Sequence, residues 1–189
     1  MIHDDFPEKY NLIDQATKES GFDMSSDVQT CRLLRTLAAT KPNGQFLELG
    51  TGTGLATSWI LDGMQGQSHL LSLDNDADFL QIAQKYLNDD ARLKLKLSDA
   101  GAWIEQNSVK QFDYIFADTW HGKYLMLHET LDMLKKGGIY IMDDMLPKSN
   151  WPDGHEEKAQ NLLLELKQRE DLLLVNQDWS SGIIISVKV

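Results

Sequence analysis

The sequence lacks the features that mark secreted, membrane-spanning and fibrous proteins. Cys31 is the single cysteine, so no disulfide can form within the chain. No apolar run approaches the roughly 20 residues that a transmembrane helix needs. Residues 1–10 have neither the basic nor the apolar region of a secretory signal. With only four prolines and 13 glycines, collagen-like and low-complexity classes are excluded as well. These absences predict a cytoplasmic location.

Basic residues are also scarce. The 189 residues include 18 Lys and Arg against 29 Asp and Glu, which gives a formal net charge of −11. A protein that holds duplex nucleic acid by its phosphates needs a basic face, so this balance argues against such a partner. An apolar fraction of 42% suits one folded domain over residues 1–189. We divide that domain into an N-terminal helical cover, 1–43, and a core, 44–189.

Short apolar runs alternate along the chain with segments of helical periodicity. The helical segments have apolar stripes over 79–87, 124–134 and 159–166, and Gly137 with Gly138 is expected to end the second of them. This alternation predicts an α/β fold with a mostly parallel sheet and helices on both faces. Ligands of such sheets bind beyond the carboxyl ends of the strands. The seven predicted strands are 45–49, 69–73, 93–97, 112–117, 139–142, 172–175 and 183–187.

The first predicted strand ends in a glycine-rich turn, ELGTGTG over 48–54. Glycines at alternate positions let the backbone turn sharply and bring bare N–H groups to a ligand ahead of a helix N-terminus. A dinucleotide fingerprint needs Gly or Ala where Leu55 stands, so the spacing disfavours NAD. A tight turn with no ligand is the structural alternative.

Carboxylates follow the second and third predicted strands. Asp74 could accept hydrogen bonds from both hydroxyls of a ribose, while Asp76 caps the next helix. Asp99 opens a helix in the same way, and helix capping alone would explain its position.

The fourth and fifth predicted strands also end in carboxylates. Asp118 is followed by TWHGKY over 119–124, an unusually rich set of side chains for a structural turn. Asp143 and Asp144 are adjacent, and two buried carboxylates repel each other unless a cation, a ligand or a proton compensates. Oxygen ligands from these three aspartates would suit Mg²⁺ or Mn²⁺. Alternatively, one aspartate of the pair accepts a hydrogen bond within the loop.

Four segments in this order resemble a known family: FLELGTGTG, LLSLDND, FDYIFADTWHGKY and LKKGGIYIMDDM. They resemble the class I S-adenosylmethionine-dependent methyltransferases, and more narrowly the catechol- and caffeoyl-CoA-type O-methyltransferases with their small bacterial relatives. The resemblance covers roughly 20–145. It implies a Rossmann-like seven-stranded sheet with the last strand antiparallel, and methyl transfer from S-adenosylmethionine to a hydroxyl oxygen of a small molecule.

The resemblance also implies a set of site residues. Asp118, Asp143 and Asp144 match the positions that hold a divalent cation in the metal-dependent branch. The segment 21–26, GFDMSS, is similar to the family's cofactor-covering segment. The matched cofactor-binding residues are Met24, Glu48, Gly50, Thr51, Gly52, Gly54, Asp74, Asn75, Asp99, Ala100, Asp118 and Trp120.

Ala56 stands where the family usually offers a serine to the cofactor carboxylate, and three further departures bear on catalysis and the metal site. Asp144 stands where the family usually has Asn, His121 where the catechol enzymes have their catalytic lysine, and Lys123 where they have an arginine. His121 is a candidate general base because imidazole titrates near neutral pH. A solvent-exposed histidine at the start of a helix, with no catalytic role, would give the same sequence pattern. The candidate catalytic residues are therefore His121, Asp118 and Lys123.

Two other classes of function stay open at this point. One is an NAD-dependent oxidoreductase, and the other is a non-catalytic module that keeps the cofactor pocket for binding or interaction. Within the methyltransferase class, a modified tRNA base is an alternative acceptor to a free small molecule. Residues 1–20 could cover the cofactor or form a homodimer contact.

Overall fold

The computed structural model describes residues 6–147, 151 and 153–189. Its helices are α1 Tyr10–Ser20, α2 Val28–Ala39, α3 Leu55–Gly63, α4 Ala77–Leu87, α5 Ala100–Asn107, α6 Leu127–Asp132 and α7 His155–Lys167. Its strands are β1 Gln45–Leu49, β2 His69–Asp74, β3 Leu93–Leu97, β4 Phe112–Ala117, β5 Leu134–Met142, β6 Leu172–Gln177 and β7 Ile183–Lys188.

The seven strands form one sheet in the order β3-β2-β1-β4-β5-β7-β6. Strands β1 to β5 are parallel, while β7 runs antiparallel to both β5 and β6. The chain order reverses between β1 and β4, and such a switch point opens a crevice at the carboxyl ends of the strands. This topology confirms the predicted fold class, including the antiparallel last strand.

Hydrophobic cores cover both faces of the sheet, as the apolar runs predicted. Phe46 of β1 packs in the core beneath α1, α2 and α3. Its neighbour Leu47 points to the opposite core, beneath α5, α6 and α7. Because successive strand residues alternate between faces, Glu48 falls on the side of α3 and Leu49 on the side of α5. This alternation determines which side chains at the end of β1 can reach a ligand at the edge of the sheet.

The α6–β5 region differs from the sequence prediction. The stripe over 124–134 predicted one helix ended by the glycines at 137–138, whereas α6 has six residues and these glycines lie inside β5. Met126 adopts a left-handed backbone conformation with φ 55°, which prevents a helix from running through it. Leu134 pairs with Phe112 of β4, and the pairing register then shifts at an irregularity. Strand pairing therefore overrides the helical pattern there.

The helices of the predicted N-terminal cover pack on the core. Helix α2 lies so close to α3 that a Cβ on Gly63 would overlap the carbonyl group of Arg35. Helix α1 reaches the glycine-rich turn, where the hydroxyls of Thr17 and Thr53 lie 2.7 Å apart. The division at 43 stays a prediction. Among the described residues, no helix is both long and apolar enough to cross a membrane.

Candidate active site

A cavity of about 540 Å³ opens at the carboxyl ends of the central strands. Its wall comes from the segment between α1 and α2, the turns after β1 to β4, Asp144 after β5, and the start of α7. The volume is within the range of cavities that bind small molecules. The cavity lies at the edge of the sheet where the sequence predicted a ligand site.

The glycine-rich turn forms the floor of this cavity. Gly50 and Gly52 have φ angles of 100° and 52°, a region that suits glycine. A Cβ on Gly50 would lie 2.8 Å from the carbonyl oxygen of Asp118, and one on Gly52 would lie 2.9 Å from the ring of Phe22. The absence of side chains at these glycines thus lets two other segments approach the glycine-rich turn closely. These are the turn after β4, which contains Asp118, and the segment before α2, which contains Phe22.

Asp74 connects the glycine-rich turn to the end of β2. Its Oδ2 accepts a 2.6 Å hydrogen bond from the Gly52 amide, and its Oδ1 accepts one of 2.8 Å from the Asp76 amide. Asp76 in turn caps α4 by accepting hydrogen bonds from the amides of Asp78 and Phe79. The predicted cap at Asp76 is confirmed, and the Asp74 carboxylate stays on the cavity wall.

Asp99 and His121 lie together at the start of α5. Asp99 caps this helix by accepting a 2.8 Å hydrogen bond from the Ala102 amide, and it also lines the cavity. A Cβ on Gly101 would meet Nε2 of His121 at 2.6 Å and Oδ1 of Asp99 at 3.2 Å. The His121 ring therefore lies over the first turn of α5.

Ten of the twelve predicted cofactor residues line the cavity. The ten are Met24, Gly50, Thr51, Gly52, Asp74, Asn75, Asp99, Ala100, Asp118 and Trp120.

The other two, Glu48 and Gly54, do not reach the cavity. Gly54 faces α4, where a Cβ would lie 2.9 Å from the Cβ of Ala83. Glu48 is buried behind the turn, where its Oε2 accepts hydrogen bonds of 2.6 Å from Thr57 and 2.5 Å from Ser72. Burial raises the pKa of Glu48 to about 8, against the lowering effect of these two hydroxyls. Because β-strand side chains alternate between faces, Glu48 supports the turn from below.

Asp118 brings a carboxylate from the end of β4 into the cavity. Its Oδ2 accepts a 3.0 Å hydrogen bond from the Ser26 hydroxyl. Burial raises the pKa of Asp118 to about 7; the charges of Asp143 and Asp144 add to this shift, while the Lys123 ammonium opposes it. A carboxyl group in this state exchanges a proton near neutral pH.

Asp143 is fully buried and does not line the cavity. Its Oδ1 accepts hydrogen bonds from the Ser181 hydroxyl and from the Asp144 amide, the latter at 2.7 Å. The Ser181 hydroxyl also lies 3.3 Å from that of Thr30 on α2. This is the loop hydrogen bond that the sequence left as the alternative to a metal. Burial raises the pKa of Asp143, and the Asp144 charge adds to that shift.

The predicted metal site does not fit this arrangement. Asp118, Asp143 and Asp144 lie in the described part of the chain, which contains no group of three or more His, Cys, Asp or Glu side chains that could hold a metal ion. Asp143 uses its Oδ1 in the loop, and Lys123 lies buried beside it, donating a 3.1 Å hydrogen bond from Nζ to the Asp143 carbonyl. We therefore assign no chemistry to Mg²⁺ or Mn²⁺ here.

An aromatic wall, formed by Trp120, Tyr124, Trp151 and His155, borders the cavity near Asp144. His155 stacks on Trp151 with ring centroids 4.1 Å apart, and its Nε2 lies 3.1 Å from the Tyr124 hydroxyl. Burial lowers the pKa of His155, and neighbouring ammonium groups lower it further. His155 was not among the site residues predicted from the sequence. Only the placement of α7 brings it to the cavity, and no local sequence signal encodes that placement.

A parallel sheet whose glycine-rich first turn and strand-end carboxylates face one cavity defines a binding site for a nucleoside-type ligand. The family model described as O-methyltransferase matches residues 5–178. The chain therefore belongs to the O-methyltransferase family, which confirms the resemblance seen in the sequence. This membership favours the methyltransferase over the two other classes weighed there.

Solved structures with the same fold include an O-methyltransferase from Bacillus cereus in complex with S-adenosylhomocysteine (SAH). It has a TM-score of 0.87 and 15% identity, covering 100% of this chain and 94% of that one. The O-methyltransferase TomG from Streptomyces achromogenes, in complex with S-adenosylmethionine (SAM) and involved in tomaymycin synthesis, has a TM-score of 0.82 and 16% identity over 100% and 92%. An SAH-bound methyltransferase from Podospora anserina has a TM-score of 0.80 and 16% identity over 97% and 89%.

Proposed function

We propose that this protein transfers a methyl group from SAM to a hydroxyl oxygen of a small molecule. One observation carries the proposal: a single cavity has the glycine-rich turn, Asp74 and Asp99 on one side, and Asp118 with the aromatic wall on another. The first set suits a nucleoside with a charged tail, and the second suits a hydroxylated acceptor. The family supplies the reaction class.

The cofactor half of the cavity follows from the strand ends. SAM, when bound, supplies a methyl group already activated by a positively charged sulfur. Asp74 would accept the ribose hydroxyls, because each of its carboxylate oxygens uses one backbone donor and keeps further acceptor capacity. Asp99 and Ala100 would hold the adenine, and the backbone at Gly50 the methionine part. We assign His121 to this half, since its ring lies over α5.

Asp118 is the general base in this proposal. Its carboxylate borders the cavity, and a pKa of about 7 lets it take the proton of an acceptor hydroxyl near neutral pH. Asp118 would keep that proton and hold the acceptor oxygen within the cavity, where bound SAM would supply the methyl group. Alignment of the two reacting centres contributes roughly 7–11 kcal/mol to such a reaction. The positive charge of Lys123 acts here by stabilising the ionised forms of Asp118 and Asp143.

The aromatic wall suits a flat acceptor. Trp120 and Tyr124 meet edge to face at 5.5 Å, and the ammonium of Lys158 lies 4.5 Å from the Trp120 ring centroid. Such a wall binds an aromatic ring through its face while the ring's hydroxyl reaches a polar group. A hydroxylated aromatic compound is therefore the acceptor that we favour. A cytoplasmic location, a homodimer and a modified tRNA base as acceptor stay predictions.

Isothermal titration with SAH tests the cofactor half of the proposal. We expect saturable binding, and the absence of heat at high SAH concentration would contradict it. Turnover of methyl-labelled SAM with a panel of catechols and hydroxylated nucleosides tests the acceptor half. If SAH binds but only nucleosides are methylated, the cofactor assignment stands and the favoured acceptor is wrong. Enhanced NADH fluorescence in place of SAH binding would favour the oxidoreductase.

A further inference from the structure

Within the described part of the chain, Lys123 is one of three charged residues that are buried, with 5% of its surface exposed; the other two are Glu48 and Asp143. A lysine ammonium is almost never buried unless it is paired, because losing its water is costly. The burial is built into the turn after β4. The Gly122 amide donates a 2.7 Å hydrogen bond to the Leu125 carbonyl, and the Tyr140 hydroxyl donates one of 2.6 Å to the Gly122 carbonyl. This pinned turn directs Lys123 inward.

The ammonium lies near the acidic cluster and donates its hydrogen bond to the backbone rather than to a carboxylate. Nζ donates its 3.1 Å hydrogen bond to the backbone carbonyl of Asp143, and the Lys123 charge favours the ionised forms of Asp118 and Asp143. Asp144, the next residue along the chain, shares the cavity wall with Lys123. A positive charge therefore already lies beside the cluster for which the sequence offered a divalent cation as one of two alternatives.

One oxygen of the Asp143 carboxyl group, Oδ1, is also committed to the protein, while Oδ2 is buried without a hydrogen-bond partner. Its bond to Ser181, and the Ser181 contact with Thr30, link the end of β5 to the β6–β7 turn and to α2. A metal ion bound through Oδ1 would have to displace these hydroxyl contacts, and Asp143 does not line the cavity. Lys123 displaces neither hydroxyl contact, because it donates its hydrogen bond to the backbone carbonyl of Asp143.

We propose that the Lys123 ammonium is the resident cation of the Asp118–Asp143–Asp144 cluster, in place of a divalent metal ion, and that the protein binds its cofactor without metal. The inference rests on the proposed function only for the identity of that cofactor. Lys123 is a positioning residue, and its charge favours the ionised form of Asp118.

Electron paramagnetic resonance of added Mn²⁺ tests the metal half of this inference. With the wild-type chain we expect the spectrum of free Mn²⁺, and the same SAH affinity with EDTA as with Mg²⁺. Binding of one Mn²⁺ per chain that is lost in Asp144→Asn would overturn the inference. Loss of SAH binding under both conditions would instead contradict the proposed function, so the two failures are distinguishable.

Thermal unfolding in EDTA tests whether Lys123 compensates the negative charge of the cluster. Lys123→Met leaves buried carboxylates uncompensated, and we expect its Tm to fall on the order of 10 °C. Lys110→Met, an exposed lysine, is the matched control and should leave Tm unchanged. The double variant Lys123→Met, Asp118→Asn removes one charge of each sign and should recover much of the loss. The inference fails if Lys123→Met is as stable as the control, or if the double variant is no more stable than Lys123→Met.

Discussion

The Ser26 hydroxyl donates a 3.0 Å hydrogen bond to Oδ2 of Asp118 across 92 positions of sequence. Ser26 belongs to the segment between α1 and α2 that forms part of the cavity wall, and Asp118 follows β4. The bond lowers the pKa of Asp118 relative to burial alone, because it stabilises the charged carboxylate. It therefore links the covering segment directly to the candidate base.

We expect Ser26→Ala to weaken SAH binding by about 3- to 10-fold. A typical intramolecular hydrogen bond contributes about 0.5–1.5 kcal/mol, and here its loss frees the covering segment. Isothermal titration measures the change, and the exposed Ser108→Ala is the control. Equal affinities for Ser26→Ala and the control would mean that the covering segment does not depend on this bond.

Asp74→Asn should weaken SAH binding by about 10- to 100-fold. The substitution keeps the shape of the side chain but removes the charge that would accept ribose hydroxyls, and hydrogen bonds to charged groups contribute about 1.5–3 kcal/mol. Asp78→Asn, an exposed position in the first turn of α4, is the matched control. An Asp74→Asn variant that binds SAH like wild type would show that Asp74 only orders the glycine-rich turn.

Local pattern predicts this fold well where the pattern is unopposed. The apolar run at 45–49 became β1 with its predicted bounds, and Asp76 became a helix cap as its residue type suggests. The single helix predicted from the stripe over 124–134 was wrong, because tertiary contacts set the strand pairing at Leu134 and the left-handed conformation of Met126. The periodicity of apolar residues along the chain carries no information about such contacts.

The candidate site shows the same division. Motif spacing brought most predicted residues to the cavity, since the carboxyl ends of parallel strands meet at one edge of the sheet. The motif could not show which face of β1 carries Glu48, nor that Ser181 engages Asp143 from 38 positions away. His155 reaches the aromatic wall through the placement of α7, and no local signal in the sequence encodes that placement.

Cys31 should be unreactive in the native protein. The side chain is 1% exposed, and burial raises the pKa of its thiol, with the Asp143 and Asp118 charges adding to the effect. Because the thiolate is the nucleophile, labelling by Ellman's reagent requires the structure to open. We expect native labelling at least about 100-fold slower than in urea. A Cys31→Ser, Ser108→Cys variant supplies an exposed thiol as the control, and native labelling of Cys31 at that control's rate would contradict its burial.

Glu48 should make the protein less stable as the pH rises. Its pKa is raised from 4.5 to about 8 in the folded chain, chiefly by burial, so the folded state holds this proton more tightly than the unfolded state. The stabilisation is complete below the ordinary carboxyl pKa and is lost as the pH rises through about 8, with a slope of at most about 1.4 kcal/mol per pH unit. Urea unfolding across this range should show a shallower pH dependence for Glu48→Gln than for wild type. Other buried carboxyl groups titrate in both proteins, so the difference between the two curves isolates Glu48. Glu105→Gln, exposed on α5, should follow wild type, and a Glu48→Gln curve parallel to it would mean that Glu48 is already ionised in the fold.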